Sequence, residues 1–424
     1  MTKKSDAPAI RFKGFSDAWE QRKFDEVFDC SVPNNTLSRA ELSYDEGTVL
    51  NVHYGDVLIK YGSVLDVQKD DIPRIPHRCR EDFNGALLQD GDVIIADTAE
   101  DETTGKACEI GNLQGRAIVS GLHTMVCRSR HRMALGYLGY YLNSNAYHHQ
   151  LLPLMQGIKV LSLSRSNIQK TSVSYPSAMK EQQLIASYFR QLDHLITLHQ
   201  RKFEKLTNVK KSMLEKMFPQ NGSSYPEIRF KGFTDPWEQR KAIDIADYSK
   251  GNGYSKGDLT DAGTPIILYG RLYTKYQFAI NEVDTFAVPR NGAVYSQGSE
   301  VIVPASGETA EDIARASAVE KSGVLLGGDL NILRPFDFIN PLFLALAISN
   351  GEPQKELAKK AQGKSVVHIH NSDIQEVTIA YPSRTEQDRI VSYFSQLDNL
   401  ITLHQRELEK LQNIKKSMLE KMFV

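Results

Sequence analysis

Two segments of the chain carry apolar residues at the spacing of a long helix. Within 181–218 and again within 386–424 the apolar residues recur at steps of three, four or seven, which places them along one face of an α-helix. The residues predicted to pack are Ile185, Leu192, Ile196 and Leu206 in the first segment and Ile390, Leu397, Ile401 and Leu411 in the second. A helix rises about 1.5 Å per residue, so each of these helices would be too long for a single globular core to cover. We expect the two helices to pack on each other in antiparallel fashion.

The rest of the chain alternates short apolar runs with turn residues, a pattern typical of mixed α/β domains. Strands are predicted at 57–59, 92–96, 117–119, 265–269, 300–303 and 375–380, and helices at about 134–151 and 340–361. Short sequences recur in the same order in both halves, among them GDVIIA against GSEVIV, then TAED, QG and YPS. The two halves are therefore expected to share one α/β fold.

Two segments are repeated almost unchanged. Residues 10–23 (IRFKGFSDAWEQRK) return as 228–241 (IRFKGFTDPWEQRK), and both helical segments begin with EQ and end with KKSMLEKMF. The intervening segments 24–180 and 242–385 share only scattered positions. Trp19 and Trp237 in the short repeats could anchor a docked loop or form matched binding patches for a partner, and the sequence leaves both interpretations open.

These repeats predict two similar α/β domains separated by an antiparallel pair of long helices, with a pseudo-twofold internal repeat. The predicted boundaries are 1–180 for the first domain with its repeat segment, 181–218 for the first helix, 219–385 for the second domain, and 386–424 for the second helix. We call the short repeats and the two long helices the frame. Because the frame is nearly identical in both halves and the variable segments 24–180 and 242–385 differ, the two domains are expected to present different surfaces.

Composition narrows the function only slightly. The formal net charge is −1, and each variable segment is slightly acidic, whereas a nucleic-acid-binding protein usually shows a basic footprint. The charge therefore neither supports nor excludes DNA binding. The start of the chain lacks an apolar signal core, and the longest apolar run is too short to span a bilayer, so a cytoplasmic location is expected. The four cysteines have no CxxC spacing, which favours buried apolar packing over a disulfide framework.

No catalytic or metal-binding constellation emerges from the sequence. Gly363-Lys364-Ser365 resembles the end of a phosphate-binding loop, but Ala358 replaces its required first glycine. His368 and His370 lie two apart on a predicted strand without a third ligand. We therefore predict no catalytic residues, no metal and no enzymatic activity.

The order of the motifs resembles a known protein family. RFKGF-x-D-x-WEQRK, a variable domain, GDVIIA, QG, YPS and an EQ-led helix ending in KKSMLEKMF all occur twice, over nearly the whole chain. This arrangement is similar to the specificity (S) subunit of type I restriction-modification systems.

The resemblance implies a non-catalytic DNA-binding subunit. Each variable segment would be a target recognition domain for one half of an asymmetric, gapped target on double-stranded DNA, with the helices setting the spacing. The implied partners are two modification (methyltransferase) subunits and two restriction (endonuclease and translocase) subunits. S-adenosylmethionine, ATP and Mg²⁺ would bind to those partners, and this chain would bind no cofactor.

Base recognition requires side chains such as Arg, Lys, Asn and Gln on surfaces that reach a groove. The residues predicted to contact DNA are Lys60, Tyr61, Arg74, Arg78 and Lys106 in the first domain and Arg271, Tyr273, Lys275 and Tyr276 in the second. A pseudo-symmetric protein–protein scaffold without DNA recognition is the alternative, and the near-neutral charge is the observation that favours it.

Overall fold

The structure is a computed structural model that describes residues 7–363 and 366–424. Lys364 and Ser365 of the sequence that resembles a phosphate-binding loop lie outside these residues. Backbone contacts divide the chain into a first unit, Met1–Gln200 with Arg406–Val424, and a second unit, Arg201–Gln405. Each unit thus contains one variable segment, the N-terminal part of one long helix and the C-terminal part of the other.

The first unit is built on a five-stranded sheet in the order β2-β10-β6-β8-β4, with a three-stranded sheet in the order β5-β3-β9. Neighbouring strands are antiparallel except for the pairs β4–β8 and β3–β9. Two further pairs are β1–β12 and β7–β11. The strands are β1 (Glu20–Lys23), β2 (Phe28–Asp29), β3 (Val49–Val52), β4 (Val64–Asp66), β5 (Arg74–Ile75), β6 (Val93–Ala96), β7 (Thr98–Ala99), β8 (Ala107–Gly111), β9 (Ile118–Ser120), β10 (Thr124–Ser129), β11 (Leu161–Ser162) and β12 (Ser172–Tyr175).

The second unit repeats this topology, with two additional edge strands in its second sheet. Its five-stranded sheet has the order β14-β24-β20-β22-β17, and a second sheet has the order β15-β18-β16-β23-β19. The parallel pairs are again the equivalent ones, β17–β22 and β16–β23. The strands are β13 (Glu238–Lys241), β14 (Ala246–Lys250), β15 (Leu259–Thr260), β16 (Thr264–Ile267), β17 (Ala279–Ile280), β18 (Phe286–Ala287), β19 (Tyr295–Gln297), β20 (Glu300–Pro304), β21 (Ser306–Gly307), β22 (Ser317–Val319), β23 (Ser322–Leu326), β24 (Leu330–Pro335), β25 (Val367–His368) and β26 (Thr378–Tyr381).

Two long helices accompany several short ones. The helices are α1 (Phe24–Val27), α2 (Tyr54–Ile59), α3 (Tyr137–Leu142), α4 (Asn145–His148), α5 (Arg165–Ile168), α6 (Met179–Lys216), α7 (Arg271–Thr274), α8 (Ala310–Ile313), α9 (Pro341–Ile348), α10 (Gly351–Lys360), α11 (Asn371–Gln375) and α12 (Arg384–Lys421). Short 3₁₀ turns lie at Arg39–Glu41, Arg80–Phe83, Leu152–Leu154, Ala242–Asp244 and Lys256–Asp258. The predicted mixed α/β fold, with two repeats separated along the chain by a long helix, is confirmed.

Within each unit the two long-helix segments run antiparallel. In the second unit Phe218 lies 6.5 Å from Phe394 between ring centres, and Lys210 Nζ is 2.5 Å from Asp398. Between these two contacts the residue number rises from 210 to 218 on one segment and falls from 398 to 394 on the other, so the two segments run in opposite directions. The first unit has the equivalent pair, Lys415 Nζ with Asp193 at 2.5 Å. Among the residues predicted to pack, Ile185, Leu192, Ile390 and Leu397 are buried, whereas Ile196, Leu206, Ile401 and Leu411 are half-buried.

The repeated EQ sequence attaches each long helix to its unit. Glu181 forms a bidentate ion pair with Arg11 of the short repeat, with N···O distances of 2.6 and 2.8 Å. Gln182 accepts a hydrogen bond from the Ala134 backbone and donates one to the Pro176 carbonyl. The second unit has the same arrangement, in which Glu386 pairs with Arg229 at 2.7 Å. Each short repeat is therefore joined to the start of the next long helix by a buried carboxylate.

The two tryptophans anchor the short repeats. Trp19 packs on Tyr137 and Phe423, and Trp237 packs on Phe343 and Phe218, with ring centres 5.7–6.3 Å apart. Both indole rings are buried. The docked-loop interpretation of the short repeats is confirmed for these side chains.

The repeated QG sequence marks a tight loop in each unit. Gly157 has a φ of +125°, and a Cβ placed there would lie 1.9 Å from the Val160 carbonyl oxygen. Gly363 has a φ of +141° and the same 1.9 Å approach, to Val366. A side chain would clash in both loops, so glycine is required there.

Several sequence predictions of local structure need correction. Residues 57–59 form the end of helix α2, where the His53 side chain caps the first turn by accepting a hydrogen bond from Gly55. His370 lies at the N-terminal cap of α11, so it does not share a strand face with His368. Cys79 is exposed, although Cys30, Cys108 and Cys127 are buried as predicted.

Candidate nucleic-acid interface

Two predicted lysines surround the C-terminal end of α2 in the first unit. Lys60 follows the last residue of the helix, and Lys106 Nζ donates a 2.8 Å hydrogen bond to the Leu58 carbonyl. Burial lowers the pKa of Lys106. Cations at this end of a helix are favoured by its partial negative charge. Beside them the Ile59 side chain is 89% exposed.

Lys60 belongs to a cluster of aromatic and charged side chains. Its Nζ lies 2.8 Å from Asp71 Oδ2 and 4.6 Å from the ring centre of Tyr44. Arg39 lies 5.2 Å from the same ring centre and is paired with Asp56. Tyr44 is thus contacted by two cations on a partly exposed surface, an arrangement suited to contacts with phosphates or bases.

Arg74 and Arg78 lie near this cluster along the chain but differ in their contacts. Arg74 is half-buried on β5, and its guanidinium reaches the Asp45 carbonyl at 3.4 Å. Arg78 is exposed. The Arg78 guanidinium forms no hydrogen bond or ion pair with the part of the chain that the structure describes, so it is available to an external anion.

Tyr61 lies in the core of the first unit. Its side chain is 4% exposed and packs with buried residues of the sheets, and burial raises its pKa well above the usual value. A phenol in this position has no surface to offer a duplex. Tyr61 therefore leaves the set of candidate DNA contacts, since its apolar ring stabilises the core.

The second unit places its candidate residues at the equivalent helix, α7. Lys275 Nζ lies 2.6 Å from Asp284 Oδ2, as Lys60 lies 2.8 Å from Asp71. Hydrogen bonds from Lys275 and then Arg271 lower the pKa of Asp284 to about 2. Both lysines follow the short helix that connects β3 to β4 or β16 to β17. The two domains therefore share a lysine–aspartate pair at matching places in the fold.

Arg271 is a positioning residue in this structure. Its side chain is 10% exposed, and it donates to Asp284 at 2.7 Å, to Gln277 at 3.2 Å and to the Glu282 carbonyl at 3.0 Å. With these partners the guanidinium holds Asp284 against Lys275. The predicted direct base contact by Arg271 would require these hydrogen bonds to break.

An open cleft of about 900 Å³ lies beside α7. Tyr269, Tyr273 and Lys275 line it, and so does Tyr254, whose side chain is only 6% exposed. Arg290 stacks 5.1 Å from the centre of the Tyr254 ring and pairs with Asp258. Tyr273 is half-buried, with its ring 6.1 Å from Tyr269. The cleft combines aromatic faces with cations, as single-stranded and base-contacting sites do.

Tyr276 is half-buried. It packs on the main hydrophobic cluster of the second unit, burial raises its pKa to about 12, and Arg315 stacks on its ring at 5.6 Å. Unlike Tyr61, it keeps part of its surface, so it stays a candidate DNA contact. The basic residue that precedes each tyrosine in the sequence does not distinguish the buried ring of Tyr61 from the half-buried ring of Tyr276.

The pairs Tyr44–Arg39 and Tyr254–Arg290 were not predicted from the sequence. In each pair the cation lies far from the tyrosine along the chain or across a turn, so spacing alone could not join them. The cue that could have found them is that each tyrosine lies in the connection that follows the first strand of the main sheet, β2 or β14.

Within the described residues no group of histidine, cysteine and carboxylate side chains is arranged to hold a metal ion. His368 instead shares a 3.0 Å hydrogen bond with Ser306. No helix in the described ranges has both the length and the apolar character needed to cross a bilayer.

The chain matches the model of a known protein family twice. The family model of the type I restriction modification DNA specificity domain matches residues 17–208 and again 234–413. The chain belongs to this family. Both specificity domains extend from the short repeat into the long helix, so every candidate DNA contact described above lies inside one of them.

The chain is similar to the specificity subunit of the type I restriction enzyme MjaVIII from Methanocaldococcus jannaschii. The two are 21% identical over 252 residues, which cover 57% of this chain and 59% of that relative. The fold is similar to the crystal structure of the S subunit of a type I restriction-modification system from M. genitalium, with a TM-score of 0.62, 13% identity and 99% coverage of both chains. The HsdS subunit from Thermoanaerobacter tengcongensis matches with a TM-score of 0.45 and 17% identity over 96% of both chains.

Proposed function

We propose that this chain is the sequence-specific DNA-binding specificity subunit of a type I restriction-modification complex. The observation that carries the proposal is the contrast between the frame contacts, which match in the two specificity domains, and the surfaces that the two domains expose, which differ. The attachments of the frame, Arg11–Glu181 and Arg229–Glu386, are the same in both units. Apart from the shared lysine–aspartate pair, the surfaces around α2 and α7 carry different side chains. Two different surfaces in one repeated frame suit a target with two different halves.

Each specificity domain would recognise one half of an asymmetric, gapped target. Lys60 and Lys275 would contact phosphates near the ends of α2 and α7, because a surface ion pair with aspartate is weak and can exchange for a phosphate. Arg74, Arg78, Lys106, Tyr273 and Tyr276 remain candidate contacts in the same regions. Arg271 would act through Asp284 rather than on DNA.

The chain itself would be non-catalytic and would bind no cofactor. S-adenosylmethionine, ATP and Mg²⁺ would bind to two modification and two restriction subunits, which this chain would direct to the target in the cytoplasm. The domains 1–180 and 219–385 with the helices 181–218 and 386–424 remain our proposed functional division. The acidic balance of the variable segments suits a complex in which partner subunits neutralise much of the phosphate charge.

The test is a map of methylated adenines in the host genome with and without this chain. We expect one gapped motif with two unlike halves to lose methylation when the chain is removed. Unchanged methylation at every motif would contradict the proposal.

A protein–protein scaffold without DNA recognition is the second candidate. It is favoured by the net charge of −1 and by the carboxylates that already pair with Lys60 and Lys275. A gel-shift assay of the chain with its partner subunits separates the two. A scaffold would show equal binding of duplexes that contain or lack the methylated motif.

A further inference from the structure

Two cysteines face each other between adjacent strands of the first unit. Cys30 directly follows β2, and Cys127 lies on β10. In the antiparallel register Arg128 pairs with Asp29 and Ser129 with Phe28, so Cys127 and Cys30 occupy the next position. Their Sγ atoms are 3.4 Å apart, and both cysteines are free thiols.

The backbone geometry at this position suits a covalent bond. Directly opposed residues of antiparallel strands have Cα atoms about 4.5 or 5.5 Å apart. Both values lie inside the range of about 4.4–6.8 Å observed for disulfides. The sulfur atoms therefore need a shift of little more than an ångström to reach the bonded distance of about 2.05 Å.

We propose that Cys30 and Cys127 form a redox-reactive thiol pair that closes to a disulfide when a small peroxide reaches the first unit. Because the proposal concerns thiol chemistry alone, it does not depend on DNA binding. Cys30 is 9% exposed and Cys127 is 1% exposed. Cys30 is accordingly the thiol that meets the oxidant first, and Cys127 is the resolving partner.

The chemistry requires one peroxide for each disulfide. The Cys30 thiolate attacks one peroxide oxygen, the O–O bond breaks, and Cys30 becomes a sulfenic acid as the first water forms. Cys127 sulfur then attacks Cys30 sulfur, the S–O bond breaks, and the hydroxyl leaves with the Cys127 proton as a second water. Two thiols are oxidised, and the peroxide is reduced by two electrons.

The order rests on the greater exposure of Cys30, and the directions of the two pKa shifts agree with it. The hydrogen bond with Cys127 lowers the pKa of Cys30, with a smaller contribution from Arg165. The same hydrogen bond, together with burial, raises the pKa of Cys127. Since the thiolate is the reactive form, these directions fit initial attack by the more exposed Cys30.

The pair is a feature of the first unit alone. At the equivalent position of the second unit Tyr248 faces Leu333 across β14 and β24, and all four cysteines of the chain lie in the first half. The proposed bond would close a ring of roughly 100 residues, which includes β3–β9 and the candidate contacts from Lys60 to Lys106. Oxidation would therefore stabilise one specificity domain and leave the other unchanged.

The test uses the full chain under native conditions. The protein is treated with hydrogen peroxide, free thiols are alkylated, and the digest is analysed by mass spectrometry. We expect a cross-linked peptide pair containing Cys30 and Cys127, lighter than the sum of the two reduced peptides by two hydrogens. Recovery of both cysteines as alkylated thiols, at a dose that oxidises exposed Cys79, would overturn the proposal.

Variants separate the two roles. In Cys127→Ser, Cys30 should stop at a sulfenic acid that a dimedone-type probe captures, whereas Cys30→Ser should leave Cys127 unmodified. Cys79→Ser is the matched control and should form the cross-link like the unaltered chain. Oxidation should also raise the melting temperature of the unaltered chain and not that of Cys30→Ser. A sulfenic acid on Cys127 in Cys30→Ser would refute the assigned order. If a variant fails to fold, the cross-link in the unaltered chain still tests whether the two cysteines form a disulfide.

Discussion

At the scale of the residue, the least expected group is the carboxylate of Glu109. It is 1% exposed on β8 and accepts hydrogen bonds of 2.8 Å from the backbone N–H groups of Gly136 and Gly139 at the start of α3. A carboxylate favours the N-terminal end of a helix. Burial nevertheless dominates and raises the pKa of Glu109 to about 7.

The raised pKa of Glu109 predicts a pH-dependent stability. The folded state binds this proton more tightly than the unfolded chain, where the pKa is about 4.3. The stabilisation that comes from this proton is therefore fully present below about pH 4. It is lost as the pH rises to about 7, which lowers the free energy of unfolding by roughly 3 kcal/mol. Urea unfolding of Glu109→Gln and the unaltered chain across this window measures the difference. We expect a flatter profile for the variant, and parallel profiles would contradict the assignment.

The lysine–aspartate pairs make a second prediction at this scale. Lys275→Ala should weaken binding to all duplexes and reduce the salt dependence by about one phosphate contact. Asp284→Asn should do the opposite, because it frees Lys275 from its partner. Titrations of DNA at several salt concentrations give both slopes.

Lys60→Ala and Asp71→Asn form the matched pair in the first domain. Lys69, which is exposed and pairs with Asp66, provides a control lysine outside this cluster. If Lys69→Ala changed the salt slope as much as Lys60→Ala and Lys275→Ala, the two lysines would have no special role.

At the scale of the element, the long helices were predictable and the short ones were not. The repeated apolar spacing places Ile185 and Ile390 on the packed face correctly, because a long period averages over local exceptions. Helix α2 was predicted as a strand because its Val57-Leu58-Ile59 run is too short for a period to show. The His53 cap and the position of Tyr61 in the core depend on contacts that appear only after folding.

The ends of the long-helix segments make an element-scale prediction. Phe423 packs against Trp19, Tyr141 and Phe189 in the first unit, and Phe218 packs against Trp237 and Phe343 in the second. Replacing either by Ala should cost about 3–5 kcal/mol through lost contacts and the resulting cavity. Phe423→Ala should lower the stability of the first unit, and Phe218→Ala that of the second.

Hydrogen exchange resolved by peptide locates the loss within one unit. The control is Leu403→Ala, since this side chain is 52% exposed on α12 and surface changes usually cost less than about 0.5 kcal/mol. Equal loosening of both units by Phe423→Ala would show that the units are not independently stabilised by their own aromatic clusters.

At the scale of the whole molecule, the contacts between variable segment and frame are equivalent in the two units. Phe343 takes the place of Tyr137 against the tryptophan, and the Asn340 backbone donates to Gln387 as the Ala134 backbone donates to Gln182. We therefore expect a variable segment from one unit to supply the groups that the frame of the other unit requires. The sequence predicted this modular organisation from the repeats, whereas the side chains that fit the segments to the frame required the structure.

This equivalence predicts the behaviour of a chain with residues 242–385 in both positions. We expect the hybrid to fold, because Arg11, Trp19 and Glu181 of the first frame meet the same partners that Arg229, Trp237 and Glu386 meet. Its two surfaces would be identical, so its DNA target should have two identical halves, each matching the second half of the natural target. Adenine methylation mapped in cells that carry the hybrid in place of the natural chain measures this directly. A hybrid that keeps the asymmetric motif would show that recognition does not reside in the variable segments, and a folded hybrid without any motif would show that the frame contributes to it.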